Sequence, residues 1–419
     1  MQLPVTRSIK QGFVMSKSIF SATVAVVALA FASLPGSMHA AEISPASAAA
    51  LVPVQEAVKA KRWGEVIDKA NAALKIPDKT SYDEYVVYTW LAAAYQAQGN
   101  RAELLRALQK QLDTGIPQPA EQNKTIKIMA ILAHQGKDFL QSQELGNRLI
   151  RNGAADAETY DMVGDSLSQQ GKHADASKFL ADFVAEQERR GQKPSEQLLV
   201  RLLALYRKQG NSAGVATIQE KLVIHYRKPE YWEALLYQLS HDPKLTESQT
   251  MQIYRLKVAT QTLKRCEDIT EMADMAINAG VPGEGLRLIE QAIAGKSCAE
   301  KTAQDKLVRM QATATREVAA DKARLPKLEA DGRASKTGEL DVEFGATQFG
   351  YGEFGKSIEA FTRGIGKGGL KNPADAQLFL GIAQLRANNK SEAVKAFQSI
   401  KTADPLMQRL VRLWVLYAQ

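Results

Sequence analysis

The sequence predicts an all-α chain built of repeated helical hairpins, and three observations carry that expectation. From residue 45 onward, apolar residues recur at helical spacing in segments of about 12 to 15 residues, separated by short Gly, Asn or Pro breaks. Long alternating runs of β-branched residues are absent. The breaks keep a register: Gly99, Gly136, Gly171, Gly210, Gly280 and Gly352 stand 37, 35, 39, 70 and 72 residues apart, so the last two gaps each hold two units. A fixed period of roughly 36 residues marks an array in which each hairpin buries its apolar face against the next.

The first 40 residues are of a different kind. Arg7, Lys10 and Lys17 precede an apolar run from Ile19 to Ala32, which falls short of the ~20 residues that span a bilayer. Pro35, Gly36 and Ser37 then lead to Ala40 and Ala41, which reads as a secretory leader over 1–40 with cleavage near Ala40. Met38 fits the small position poorly, so the cut falls after Ala40 or within a residue of it. Either Met1 or Met15 serves as the start, because Lys17 alone supplies a positive flank. Two Cys in 419 residues is no dense disulfide framework, which suits a periplasm. No transmembrane helix is expected in the mature chain. Without the leader's three basic residues the chain carries 51 Lys+Arg against 46 Asp+Glu, too mild a balance to argue for nucleic acid.

Within the units, particular residues recur. Residues 374–405 place Leu380 and Gly381 in a first helix, Ala393 and Phe397 in a second, and Pro405 at the close. Tyr88, Leu91, Ala92 and Tyr95 precede Gly99; Val163 and Gly164 precede Gly171 and Ala176; Gly345, Gly352, Phe354, Phe361 and Gly364 follow the same order. This pattern resembles the tetratricopeptide (TPR) family. The resemblance implies a right-handed superhelical solenoid of about ten hairpins over 41–405, followed by a C-terminal capping helix at 406–419. Small residues at Gly164, Gly345 and Gly381 let paired helices approach closely. Trp63 and Trp232 read as seam residues in preference to carbohydrate platforms. The units at 229–265 and 300–332 depart most, and Pro326 has to lie in the first turn of a second helix or kink it. The final helix, LMQRLVRLWVLYAQ, either packs down as a cap or leaves Trp414, Val415 and Leu416 as an apolar edge.

Two motifs suggest catalysis and lack its context. GYGEFGKS at 350–357 fits both the P-loop and the dinucleotide fingerprint, which would make Lys356 the phosphate ligand of a nucleotide enzyme. A P-loop follows a buried strand, whereas Gly345 and Ala346 interrupt the preceding segment and Glu339, Asp341 and Glu343 charge it. The register instead makes Gly352 a turn between helices. GDSL at 164–167 resembles the nucleophile block of a serine esterase family, yet no His follows an Asp by three residues, leaving Ser166 without a base. His134, His173, His225 and His241 form no i, i+4 pair. No cofactor, metal or enzymatic activity is expected.

Cys266 and Cys298 bracket one hairpin, whose antiparallel helices bring those ends together. A disulfide there, or two separate buried thiols, satisfies the sequence. In TPR superhelices the first helices line a concave groove, and transferring those positions selects Glu158, Asp161, Asp165, Arg207, Lys208, Glu230, Glu233, Tyr237, Glu267, Asp274 and Asn278. Such a largely acidic lining suits an extended basic or Pro-rich protein segment, unless these charges are ordinary solvated faces. The C-terminal units are similar to periplasmic TPR proteins associated with TonB-type energy transduction. That similarity implies an exported protein-protein interaction scaffold in contact with envelope complexes; a scaffold for envelope polysaccharide or cell-wall machinery is the alternative.

Overall fold

A computed structural model describes residues 43–419, so the expected leader, its cleavage site and the choice of start lie outside the described residues. Among the described residues there are twenty helices and no strands. The chain divides into two compact units, one ending at Leu198 and the other beginning at Leu199.

The first unit holds α1 (Pro45–Lys59), α2 (Trp63–Ala73), α3 (Ser81–Ala97), α4 (Arg101–Asp113), α5 (Pro119–Gln135), α6 (Phe139–Arg151), α7 (Ala157–Gln169) and α8 (His173–Arg189). They pack as four successive hairpins, each also touching the next. The division falls inside α9 (Glu196–Lys208). The second unit continues with α10 (Ser212–Tyr226), α11 (Pro229–Ser240), α12 (Glu247–Ala259), α13 (Cys266–Asn278) and α14 (Pro282–Ala294). After these come α15 (Lys301–Ala334), α16 (Glu339–Gly350), α17 (Phe354–Lys367), α18 (Pro373–Arg386), α19 (Lys390–Gln398) and α20 (Pro405–Ala418). The array is therefore an all-α solenoid of TPR-like hairpins with one trailing helix. No helix among the described residues is long and apolar enough to cross a membrane.

Five of the six register glycines take φ between 66° and 80°, the left-handed geometry that ends a helix where a side chain would be strained. At the sixth break Gly136 is right-handed, and the adjacent Lys137 adopts φ 64° instead. The small first-helix positions follow from packing distance: a Cβ on Gly381 would lie 2.3 Å from the Phe397 ring, and one on Gly164 2.5 Å from Leu180. Helix-to-helix approach at these seams thus excludes any larger residue.

The 300–332 segment departs from the expected hairpin. It is one 34-residue helix, α15, and Pro326 sits inside it. Nothing between Lys301 and Leu325 breaks a helix, since the stretch is rich in Ala, Lys and Arg and contains no Gly or Pro. Its buried residues are Leu307, Ala314, Asp321 and Gly332, the first three seven positions apart, giving one narrow contact stripe that needs no second helix. Asp321, at the end of that stripe, accepts from Tyr351 Oη and from Arg324 Nη2, both at 2.7 Å.

In the second unit the chain returns on itself. Helix α20 buries Met407, Leu410, Leu413 and Trp414 and packs against α12. Arg409 pairs with Glu220 of α10, Asp404 accepts from Gln249, and Tyr417 Oη donates to the Ala259 carbonyl at 2.9 Å. Val415 and Leu416 are partly buried in the same cluster, so the C-terminal helix seals a seam with helices some 150 to 190 residues earlier.

The first unit is anchored at its start by Asp83, which is 1% exposed. Its carboxylate accepts from Ser44 N at 2.9 Å, Ser44 Oγ at 2.7 Å, Ser47 Oγ at 3.0 Å and Thr80 N at 2.8 Å, joining α1 to the cap of α3. Burial opposes the charge, but the bonds from Ser44 and Thr80 outweigh it and hold the carboxyl at about 2. A pKa depressed below the unfolded value of ~3.9 stabilises the fold above that value, and the stabilisation is lost as pH falls through about 2. Asp83→Asn should cost on the order of 2 kcal/mol at neutral pH. In urea unfolding the gap between variant and parent should close as pH drops from about 4 toward 2; a gap that stays constant would show that the charge contributes nothing.

Candidate functional site

Both catalytic motifs resolve into packing. Gly352, at φ 80°, turns the chain between α16 and α17, and Phe354 meets Phe349 edge-on at 5.5 Å. Ser357, the residue a P-loop would use for a metal, is fully buried and donates to the Gly345 carbonyl at 2.8 Å. Lys356 faces Glu353 at 3.4 Å on the surface. Ser166 of GDSL is likewise buried in α7, its hydroxyl 3.2 Å from that of Ser142. The two serines are occupied in joining helices, Lys356 stays on the surface, and among the described residues no strand leads into the 350–357 loop as a P-loop requires. Among the described residues no group of three or more His, Cys, Asp or Glu is placed to hold a metal ion.

The residues transferred from the groove pattern fall in both units. In the first unit Glu158 pairs with Lys127 at 2.8 Å, Asp161 accepts from Gln197 at 3.3 Å, and Asp165 lies 2.8 Å from His134 Nε2 with both side chains nearly buried. In the second, Arg207 and Lys208 are exposed at the end of α9 and Glu230 is exposed at the start of α11. Glu233 pairs with Lys264 at 3.2 Å and Glu267 with Arg265 at 3.6 Å. Tyr237, 46% exposed, lies tilted against His241 with ring centroids 4.3 Å apart and receives Arg265 over its face at 5.7 Å. Much of the acidic lining is thus neutralised locally. Asp274 and Asn278 differ, because both line a cavity. Cys266 and Cys298 are joined by a disulfide across the α13–α14 hairpin, which holds the base of Asp274's helix.

That cavity, of about 590 Å³, is bordered by α12, α13, α16 and α18. Four carboxylates line it, Glu247, Asp274, Glu339 and Asp375, against two cations, Lys371 and the already paired Arg255. Glu339 accepts from the Lys371 backbone N–H, and Asp375 accepts from Ser248 Oγ at 2.7 Å through one oxygen while its other, buried oxygen has no partner. Gln252 is 3% exposed, and its side-chain oxygen also lacks a donor. The site therefore presents unmet acceptors and negative charge in a recess of ligand size.

Its wall is made by Arg255. This guanidinium forms a fork with Glu284, Nη2 to Oε2 at 2.7 Å and Nε to Oε1 at 3.1 Å, and both side chains are nearly buried. Glu284 lies in the first turn of α14, where the helix dipole favours a carboxylate. Arg255 also lies 3.9 Å over the Phe379 ring, which meets Phe349 edge-on at 4.8 Å. One side chain thus ties α12 to α14, α16 and α18. A second pair, Lys257 with Asp268 at 3.0 Å, joins α12 to α13. Sequence reading missed Arg255 and Glu284 because nothing local distinguishes them from surface charges. The one visible trace is that Gln249, Gln252 and Arg255 fall at i, i+3 and i+6 on a single helix.

No protein-family model matches the chain, and no curated protein does. Solved structures do resemble it. Yeast Tom70 aligns at 11% identity over 88% of this chain and 94% of its own, with a TM-score of 0.24. The Naa15/Naa10 complex bound to HypK-THB aligns at 12% identity over 87% of this chain and 65% of its own, with a TM-score of 0.31. A tetratricopeptide repeat protein from Parabacteroides merdae aligns at 11% identity over 70% of this chain and 98% of its own, with a TM-score of 0.22. The chain's own hairpins, left-handed turns and close-packed glycines give it a TPR-like helical-repeat fold.

Breaking the central pair from either side should be costly. Arg255→Ala or Glu284→Ala should each destabilise the protein by about 3 to 5 kcal/mol, because each leaves a buried charge without its partner. The combination Arg255→Met with Glu284→Leu should cost less than either single change. A double-mutant cycle in guanidinium unfolding checks this; additive losses would mean that the two side chains do not act as a pair.

Proposed function

We propose that this protein is an exported protein-protein interaction scaffold whose second unit holds a basic segment of its partner in the cavity bordered by Glu247, Asp274, Glu339 and Asp375. The observation that carries the reading is the set of unmet acceptors in that recess, the Gln252 amide oxygen and one Asp375 oxygen, beneath four carboxylates. A lysine or arginine side chain supplies both the charge and the donors that these groups lack. The absence of catalytic geometry at either motif favours binding over turnover.

The finer reading is an accessory role in a periplasmic TonB-type energy transduction complex. It rests on the leader-like text before Ala41 and on the C-terminal repeat texture. A Lys- and Pro-rich linker of the kind expected in a transducer has the charge and the extended shape that an acidic recess accommodates. Export gives the repeats their envelope location, where such a linker is within reach.

A Lys-Pro repeat peptide should bind the purified chain saturably, with affinity falling steeply as salt rises. Asp274→Asn combined with Glu339→Gln should weaken it about tenfold or more, while neutralising Glu158 should leave it unchanged. Fluorescence anisotropy at two salt concentrations is the measurement. Binding that ignores the cavity substitutions would contradict the site, and in-cell photo-crosslinking from position 278 that captured only cell-wall enzymes would favour the alternative scaffold.

A further inference from the structure

Arg255 also borders a second cavity of about 560 Å³, and that one has the opposite charge. Arg255, Arg287, Arg386 and Lys390 line it against a single carboxylate, Glu284, which Arg255 already occupies. Arg287 is half-buried, and its Nη1 donates a long 3.5 Å hydrogen bond to the Gly350 carbonyl. Burial first, and then the neighbouring Arg386 and Arg255, push its guanidinium below the usual range, with Glu284 opposing them. Arg386 rests over the Phe354 ring at 5.7 Å and is exposed. Trp414, 1% exposed and also lining this cavity, has an indole N–H with no acceptor.

From this arrangement we infer that the second cavity is a binding site for a small phosphate-bearing molecule with a planar apolar body. Three cationic side chains in excess of carboxylate are better matched by a dianion than by a single carboxylate. The guanidinium fork is also shaped to grip adjacent phosphate oxygens. Tyr417, 36% exposed, supplies an open ring face beside the covered Phe349 and Trp414, and the volume is that of a small-molecule site. An anion there removes the mutual repulsion of Arg287 and Arg386, so binding stabilises the second unit. Since Arg255 borders both cavities, this ligand and the basic partner segment share one wall.

Isothermal calorimetry of the full chain with phenyl phosphate, benzoate and inorganic phosphate at constant ionic strength tests the site. Phenyl phosphate should bind saturably and raise the thermal midpoint, with inorganic phosphate and benzoate each about tenfold weaker or more. Arg386→Gln, at an exposed position, should weaken phenyl phosphate about tenfold, and Arg287→Gln should do at least as much. Lys322→Gln, outside the cavity, should change nothing. Absence of saturable binding, equal affinity for all three probes, or binding unaffected by Arg386→Gln would overturn the proposal. So would an acidic peptide that binds with the same arginine dependence while phenyl phosphate does not.

Discussion

The buried fork between Arg255 and Glu284 is the constraint around which the second unit is organised. A charged pair removed from water survives only where its hydrogen bonds are well made and its surroundings are fixed. Here α14 offers the carboxylate at its positive end, Phe379 lies against the guanidinium, and Phe349 supports Phe379. Every one of those elements has to be in place for the pair to be tolerated. The pair therefore acts less as a source of stability than as a condition on register, since slippage of any one repeat would strand a charge.

That constraint explains why this part of the array closes on itself. Helix α12 is held from inside by Arg255 and from outside by α20, through Gln249 with Asp404 and Ala259 with Tyr417. The apolar circumference of the last helix is used up in this seam, which accounts for a terminal helix with little polar face. The two recesses that border Arg255 then differ in charge because different helices contribute to them. One collects carboxylates from α12, α13, α16 and α18; the other collects arginines from α14 and α18.

The repeat was legible in the sequence because it is a local matter. Gly164 and Gly381 mark positions where a methyl group would collide with Leu180 or Phe397, and Gly352 marks a left-handed turn. Each leaves a glycine at a fixed place in the period. The same period misled at 301–334, where a gap of two unit lengths between Gly280 and Gly352 implied another hairpin. The seven-residue spacing of Leu307, Ala314 and Asp321 was the better guide to one long helix. The site was far less legible. Asp274 and Asn278 came from the repeat register, whereas Arg255, Glu284 and Gln252 look like ordinary polar residues on amphipathic helices. Their burial is decided by chain brought from up to about 125 residues away, and no local pattern encodes it.

Hydrogen exchange followed by mass spectrometry, with and without a saturating Lys-Pro peptide, tests the central claim most directly. The account predicts slower exchange in 247–259, 274–279, 339–346 and 370–379, the segments that border the acidic recess, with α1 to α8 unchanged. Protection confined to the first unit, or none at any segment under saturating peptide, would contradict it.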